Sequence, residues 1–521
     1  MLRSLSRYYH TLKFLKWRQI KYRLIYNLRT ERHINTGDVS VPARVEIKLA
    51  DSITTNASWL GADTFEFLNI KHVFKNGVDW NYAEYGKLWT YNLTYFEFLS
   101  QPDLSKEAGL KLIHDFINQQ SKVRDGLEPF PISLRIIFWV KFLAKHQIQD
   151  SKIDQSLYVQ LLMLHKKPEY HLLGNHLLEN GFALLFGAVF FNDEKILKQA
   201  QLILEEQLKE QILEDGAHFE LSPMYHQIML FRLLDSINLL KNNQQILPSG
   251  FLLFLTEKAG LMLGWMGQVT FENGDMPMVN DSINGIAPTA NALEKYASEL
   301  DIFPKVKSLK TSGYRKIKMS GYELLVDVGN IGPDYIPGHA HSDTFNFILY
   351  HQHQPLLVDT GISTYEKNRR RTEERSTMAH NTLMVNDLDQ SEVWGGFRVA
   401  RRAKVIQLEE SAGKIMATHD GYHRINCEHR RTFIYDKQGL VIKDKLTGAH
   451  EGTAFFHFHP TVQPRLEGQK ITGKFGAIDF QNADEVHLVT YLMATGFNKT
   501  AKAKKAVVRF KHDLHTTIKL I

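Results

Sequence analysis

Histidines 339 and 341 stand one residue apart in Gly-His-Ala-His-Ser-Asp (338–343). An apolar run then ends in Asp359, and a third histidine follows at 380 in Ala-His-Asn. Neutral imidazoles with a carboxylate and no thiolate make a donor set suited to Zn2+ or a similar divalent ion. On an extended strand His339 and His341 would face the same side, because side chains alternate with period two. One could then bind metal while the other does acid–base work. The competing reading is ordinary core or surface histidine, in a chain that holds 24 of them. The single Cys427 excludes a disulfide framework within the chain and a thiolate-rich zinc finger.

Two further stretches carry polar groups at spacings that matter. In HLLGNHLLENG (171–181), Asn175 and Glu179 are four apart and His176 and Glu179 three apart, so all three share one side of a helix start. A capped helix with a surface His–Glu pair is the plain alternative. In EDGAHFELSPMYHQ (214–227), Pro223 suits the first turn of a helix and places Tyr225 and His226 at its positive end. A phenol there is expected to lose its proton more readily than its free pKa of about 10 implies. Packing is the plain alternative for that tyrosine.

Positioning such groups takes two kinds of element. Through the first three hundred residues, apolar positions recur at three-and-four spacing in 97–119, 132–146, 155–166, 176–191, 193–213, 223–242 and 251–266, which predicts helices. Short breaks such as Gln101-Pro-Asp, Asp215-Gly and Pro248-Ser-Gly make the neighbours antiparallel. No period of a helical repeat array is present. Beyond about residue 312, alternating runs predict strands at 314–318, 322–328, 344–350, 355–358, 381–385, 404–409, 414–419, 428–435, 440–445, 453–459, 477–480 and 486–491. Helices followed by strands, rather than alternating with them, exclude a doubly wound parallel sheet.

At 521 residues, two or three domains are expected. Lys+Arg exceed Asp+Glu by 63 − 57 = 6, a mild excess that fits an anionic substrate or no charged partner. No nucleic-acid partner is expected. Residues 1–30 hold eight Lys/Arg and no acid, with Leu, Ile, Phe and Trp between them. That pattern is a basic amphipathic helix, without the unbroken apolar stretch of a secretory leader. It is read first as a helix packed on the domain behind it, and second as a contact with an anionic membrane surface. No stretch is apolar for long enough to span a bilayer. A cytoplasmic or membrane-peripheral location is expected, with the periplasm as the alternative.

Together the segments GNHLLENG (174–181), DGAHFELSPMYH (215–226), NGDMPMVNDS (273–282), GPDYIPGHAHSDTFNF (332–347), PLLVDTGISTY (355–365) and RSTMAHNTLMVNDLDQSEVWGGFRVARRA (375–403) resemble the heparinase II/III-like polysaccharide lyases, relatives of the exo-type alginate lyases. The resemblance implies an α+β chain of two domains. A basic segment (1–35) precedes an incomplete (α/α) toroid (36–311) and an antiparallel β-sandwich (312–521), with the substrate cleft between the last two.

It also implies β-elimination next to a uronic acid in an acidic polysaccharide. The C5 proton lies α to a carboxylate, so the developing enolate-like charge must be neutralised or hydrogen-bonded. By resemblance Asn175 and His176 do this, with Glu179 orienting the imidazole. Tyr225 and His339, facing each other across the cleft, are the acid–base pair. His341, Asp359 and His380 hold a structural zinc. Tyr91, Asn92, Arg135, Tyr365 and Arg375 are implied sugar or carboxylate contacts, an arginine because its planar fork matches a carboxylate. Secreted members carry a leader, whereas this chain begins with its basic segment. It thus looks like a member serving exopolysaccharide or capsule metabolism, for which heparin is not the expected substrate. Two rivals stand beside this reading: a hydrolase of toroid type using Asp215, Glu220 or Asp275, and a non-catalytic glycan-binding or assembly protein.

Overall fold

The computed structural model describes residues 2–28, 39–243 and 250–521, with side chains described from residue 5 onward. The expected domain boundary at 35/36 and part of the break at 248–250 lie outside the described residues.

Helices dominate the first part: α1 (Leu2–Leu12), α2 (Trp17–Leu28), α3 (Lys87–Tyr95), α4 (Lys106–Gln119), α5 (Pro129–Lys145), α6 (Ser151–Lys166), α7 (Gly174–Phe190), α8 (Glu194–Gln211), α9 (Pro223–Asn242), α10 (Phe251–Val269) and α11 (Ala290–Glu299). Their starts are written locally. Ser105, Asp150, Asp193, Ser222 and Thr289 each accept a backbone N–H of the first turn. Helix α7 keeps its polar side chains to the first two turns and is buried at every position except His176, so it needs cover on every side. Helices α5, α6, α8 and α9 pack around it. Helix α8, with one apolar stripe, belongs to the outer layer. This two-layered arrangement is an incomplete (α/α) toroid, and a short hairpin (Thr64–Phe67, Ile70–Val73) lies against α3.

The second part is an antiparallel sandwich. A four-stranded sheet (Tyr314–Met319, Tyr322–Asp327, Phe347–His351, Gln354–Leu357) faces a ten-stranded one. Leu324, Phe347 and Leu349 from the first share one core with Phe433, Ile442 and Phe510 from the second. A short helix, α12 (Arg369–Arg375), sits in a connection of this domain.

Several details differ from expectation. The runs at 477–480 and 486–491 are one strand, Gly476–Gly496, with bulges between Gln481 and Glu485. Its partner Lys499–Leu520, unforeseen, pairs with three strands: Gly439–Leu446, Glu451–His457 and Gly476–Gly496. Its alternating Lys and Ala residues give little local β signal, so the neighbours determine its conformation. Helices α3, α11 and α12 were likewise not foreseen, and 97–119 is interrupted between Ser100 and Lys106.

Asp215 ties the domains together. Its Oδ2 accepts the backbone N–H groups of Lys310 and Ser312 and the Ser312 hydroxyl at 2.8–3.0 Å. Helices α1 and α2 form a strap across both domains. Trp394 Nε1 donates to Thr11 and Arg401 donates to Ser6 on the sandwich side. On the toroid side Lys16 pairs with Glu210 and Arg18 with Glu206.

Candidate active site

Tyr225 sits on the first turn of α9, after Pro223, with its backbone N–H on the Ser222 side chain. Ser222 in turn donates to Asp281 O (2.7 Å), and Asp281 N donates to His339 O (3.1 Å). This chain of bonds fastens the toroid helix to the loop of the sandwich domain. The Tyr225 and His339 rings meet edge to face, 3.8 Å between centroids. They touch each other, so the two rings form one contiguous pair, rather than the two walls facing each other across an open cleft expected from the resemblance. Tyr225 Oη is 3.2 Å from Tyr365 Oη. Burial pushes the Tyr225 phenol above its ordinary value, outweighing the help of Tyr365. The expected lowering by the helix terminus is therefore reversed, and the phenol rests protonated. Burial also pushes the His339 imidazole down to about 3, against the attraction of Asp281, so it rests neutral.

The loop bearing the two histidines is not a strand, which corrects the period-two argument for His339 and His341. Both rings nonetheless turn toward Asp281: His341 Nε2 lies 2.8 Å and His339 Nδ1 3.8 Å from its carboxylate. Arg371, on α12, grips the same carboxylate with both terminal nitrogens, at 2.5 and 2.6 Å. Burial alone would raise the Asp281 pKa, but the guanidinium holds it well below the usual carboxylate range. Arg375, expected at the substrate, is buried and donates to Ala340 O and Gly396 O. It holds the histidine loop in place.

Asn175 and His176 open α7 as expected, on a backbone that needs glycine beside it. Gly174 has φ +61°, and a Cβ there would come within 2.9 Å of Ile336 and 3.1 Å of Glu220 Oε1. Asn175 N donates to Glu220 Oε1 (3.1 Å), while its side-chain Oδ1 is buried without a partner. The His176 ring leans on Phe130, and its Nδ1 is 3.2 Å from Glu169 Oε1. Burial alone would lower the His176 pKa, but Glu169 raises it overall. Glu179 is not the orienting group: it is fully buried and accepts from Arg232 Nε (2.9 Å).

The remaining expected contacts divide. Tyr365 reaches the site through Tyr225. Tyr91 donates to Glu128 (2.8 Å) and joins Tyr95 and Phe130 in an aromatic patch running to His176. Asn92 Nδ2 is spent on Leu88 O within its own helix. Arg135 is 0% exposed and donates to Thr94 O, Gly126 O and Gln160 Oε1. It is a brace inside the toroid and cannot meet a substrate.

At the expected zinc site, His380 Nδ1 lies 2.7 Å from Asp359 Oδ2, which also accepts from Asn346. The His341 and His380 rings are 5.2 Å apart. His341 Nδ1 and His380 Nε2 are both buried without partners, the two nitrogens a divalent ion would satisfy. Asp359 grips the far nitrogen of His380, as a carboxylate does when it orients a ligating imidazole. Among the described residues, the group with three donor atoms within 4.8 Å of one another is elsewhere, at Glu272, Glu323 and His353. There Lys316 Nζ already stands 3.0 Å from Glu323 Oε2.

Sequence patterns do not single out Glu169, Asp281 or Arg371, and they offer Glu220 only as a hydrolase carboxylate. Asp281 and Glu220 lie in quoted motifs, the signal that could have found them. Arg371 was hidden in a charge run that reads as a solvated face. The hydrolase reading loses its pair, since Asp215 is bound at the domain junction and Asp275 accepts from Asn273 and the Tyr350 hydroxyl.

Two family models match, heparinase II/III N-terminus over 132–311 and heparinase II/III-like, C-terminal, over 303–520. A heparin-sulfate lyase of Bacteroides stercoris is 25% identical over 373 residues, 61% of this chain and 53% of that protein. One of Bacteroides thetaiotaomicron is 26% identical over 315 residues, 52% of this chain and 43% of that protein. The chain thus spans about half the length of the curated relatives it matches. The crystal structure of a heparinase III superposes with a TM-score of 0.66 at 17% identity, over 95% of this chain and 89% of that one.

Proposed function

We propose that this chain, which belongs to the heparinase II/III family, is a polysaccharide lyase that cleaves an acidic, uronate-containing polymer by β-elimination. The observation that carries the reading is the contact of Tyr225 and His339 at the seam of the two domains, with His176, whose pKa Glu169 raises against the effect of burial, at the start of α7. His176, its pKa raised by Glu169, and the side-chain N–H of Asn175 receive the uronate carboxylate and stabilise the charge that grows as C5 loses its proton.

The resting protonation states suit a division of labour. Neutral His339 accepts the C5 proton, and an anionic substrate favours its imidazolium as transfer proceeds. Protonated Tyr225 donates to the leaving oxygen on C4. The elimination leaves a C4–C5 double bond conjugated with the carboxylate. Tyr365, Tyr91 and Phe130, each half-buried, offer apolar faces to neighbouring sugars, with Tyr95 packed behind the last two.

Zinc belongs to the same proposal. His341 Nδ1 and His380 Nε2 would hold it, with Asp359 orienting His380. A cation bound there would brace the loop that carries His339, a structural role. The relatives are named for heparin sulfate, which makes glycosaminoglycans the first polymers to try and alginate and bacterial capsule polymers the next. The test is a screen of these polymers with wild type and Tyr225→Phe, followed by the ultraviolet absorbance of the unsaturated uronate. Absorbance with wild type alone supports the reading. Reducing ends without that absorbance mean hydrolysis, and binding without either means a glycan-binding protein.

A further inference from the structure

Helices α1 and α2 are docked by one face each and present an unpartnered apolar stripe on the other. In α2, Gln19, Tyr22 and Tyr26 turn inward: Gln19 donates to Leu172 O, Tyr26 to Pro168 O, and Tyr22 packs on Tyr170. Trp17, Ile20, Leu24 and Leu28, spaced three, four and four apart, form the opposite face. All four are exposed, Trp17 at 72% and Leu28 at 82%. In α1, Leu5, Tyr9 and Leu12 repeat the pattern, exposed at spacings of four and three. Burying side chains of this size is the usual use of such a face, so these stripes need an occupant.

Charge identifies that occupant. Residues 1–30 hold eight Lys/Arg and no acid. Lys16 and Arg18 are neutralised by Glu210 and Glu206 of the toroid, and Arg7 lies 3.8 Å from Glu392. Exposed Lys13, Lys21 and Arg23 pair with no acid among the described residues. Lys21 and Arg23 flank the stripe of α2 on its two sides. A second copy docking by this face would set cations against cations, because a two-fold contact brings a patch onto itself. An acidic polysaccharide would match the cations and leave the leucines and the indole in water. An anionic lipid surface satisfies both, with apolar stripes among the acyl chains and lysines at the headgroups.

We propose that α1 and α2 are a peripheral membrane anchor, lying in the plane of an anionic bilayer. The anchor is coupled to the cleft: Gln19 also donates to Tyr335 O (3.5 Å), in the loop that leads to His339. Leu172 O, its other acceptor, precedes Asn175 and His176. Docking would thus hold both walls of the site beside the membrane.

The test is sedimentation of the purified full chain with phosphatidylcholine vesicles, with and without phosphatidylglycerol, at low and high salt. Wild type is expected to bind the anionic vesicles, less so at high salt. Leu24→Ser with Leu28→Ser is expected to lose about tenfold in binding per side chain. Lys13→Gln with Lys21→Gln and Arg23→Gln is expected to lose about fivefold per charge together with the salt dependence. Thermal melts unchanged from wild type show that the fold survives, since every replaced side chain is exposed. Absence of binding, equal binding to neutral vesicles, or variants that bind like wild type overturn the proposal. So does a stable dimer that Leu24→Ser with Leu28→Ser dissociates while vesicles remain unbound.

Discussion

Glu220 Oε2 lies 3.8 Å from His339 Nε2, while Oε1 of the same carboxylate accepts the backbone N–H of Asn175. One buried side chain thus touches the machinery of both domains. Burial pushes its pKa up to about 7. A carboxylate whose folded pKa exceeds its unfolded value costs stability as pH rises from the unfolded to the folded value. From about 4.5 to about 7 that cost reaches roughly 3 kcal/mol. Glu220→Gln removes the titration, so its Tm relative to wild type is expected to be more favourable at pH 8 than at pH 5. A difference that does not change with pH would refute the assignment.

In the proposed elimination Tyr225 and His339, whose rings are in contact, act on one sugar ring as a unit. Tyr225→Phe and His339→Gln are each expected to lower kcat about a hundredfold to ten-thousandfold. The double variant should lose little more than the worse single one, because groups that cooperate in one step are not additive. Fully additive losses, measured by unsaturated product, would separate their roles.

Glu169 raises the His176 pKa against the effect of burial. A cation that receives the uronate carboxylate works below its pKa, so activity falls as pH rises through it. Glu169→Gln removes the group that raises that pKa. The alkaline fall of kcat/KM is therefore expected at lower pH in the variant, and an unmoved profile would exclude His176 as the titrating cation.

Arg135 is a brace. Arg135→Met leaves Thr94 O, Gly126 O and Gln160 Oε1 without their donor, at about 1–3 kcal/mol for each acceptor left dry. Tm should drop while KM stays near wild type at temperatures where the variant is folded. A KM effect without a loss of Tm would restore Arg135 to the substrate.

The zinc proposed for His341 and His380 would contribute to folding, since a ligand of the native state stabilises it. Metal analysis should find about one equivalent. Chelation should lower the Tm of wild type and leave His380→Ala unaffected. A Tm indifferent to chelator would exclude the structural metal.

Much of the site was legible because it rests on local rules. Pro223 after a capping Ser222 places Tyr225 at a helix start through contacts a few residues long. The nearly continuous apolar run marks α7 as a covered helix, while the structure alone shows that, of its polar residues, only His176 is left partly open. The change from period 3.6 to period two near residue 312 marks the order of the two domains.

Partners were another matter. Glu179 has the helical spacing to serve His176, yet Glu169 serves it, because the toroid turns Glu179 inward onto Arg232. His341 finds Asp281 across 60 residues, and Tyr225 meets Tyr365 across 140. Arg135 and Arg375 have side chains that match a carboxylate, but both are buried and bonded to backbone carbonyls of their own domains. The sequence by itself determined the types of element and the groups able to do chemistry, since helical and strand periods act over a few residues. Which carboxylate faces which imidazole was decided only when the chain closed on itself, because electrostatic pairing depends on distance and burial in space.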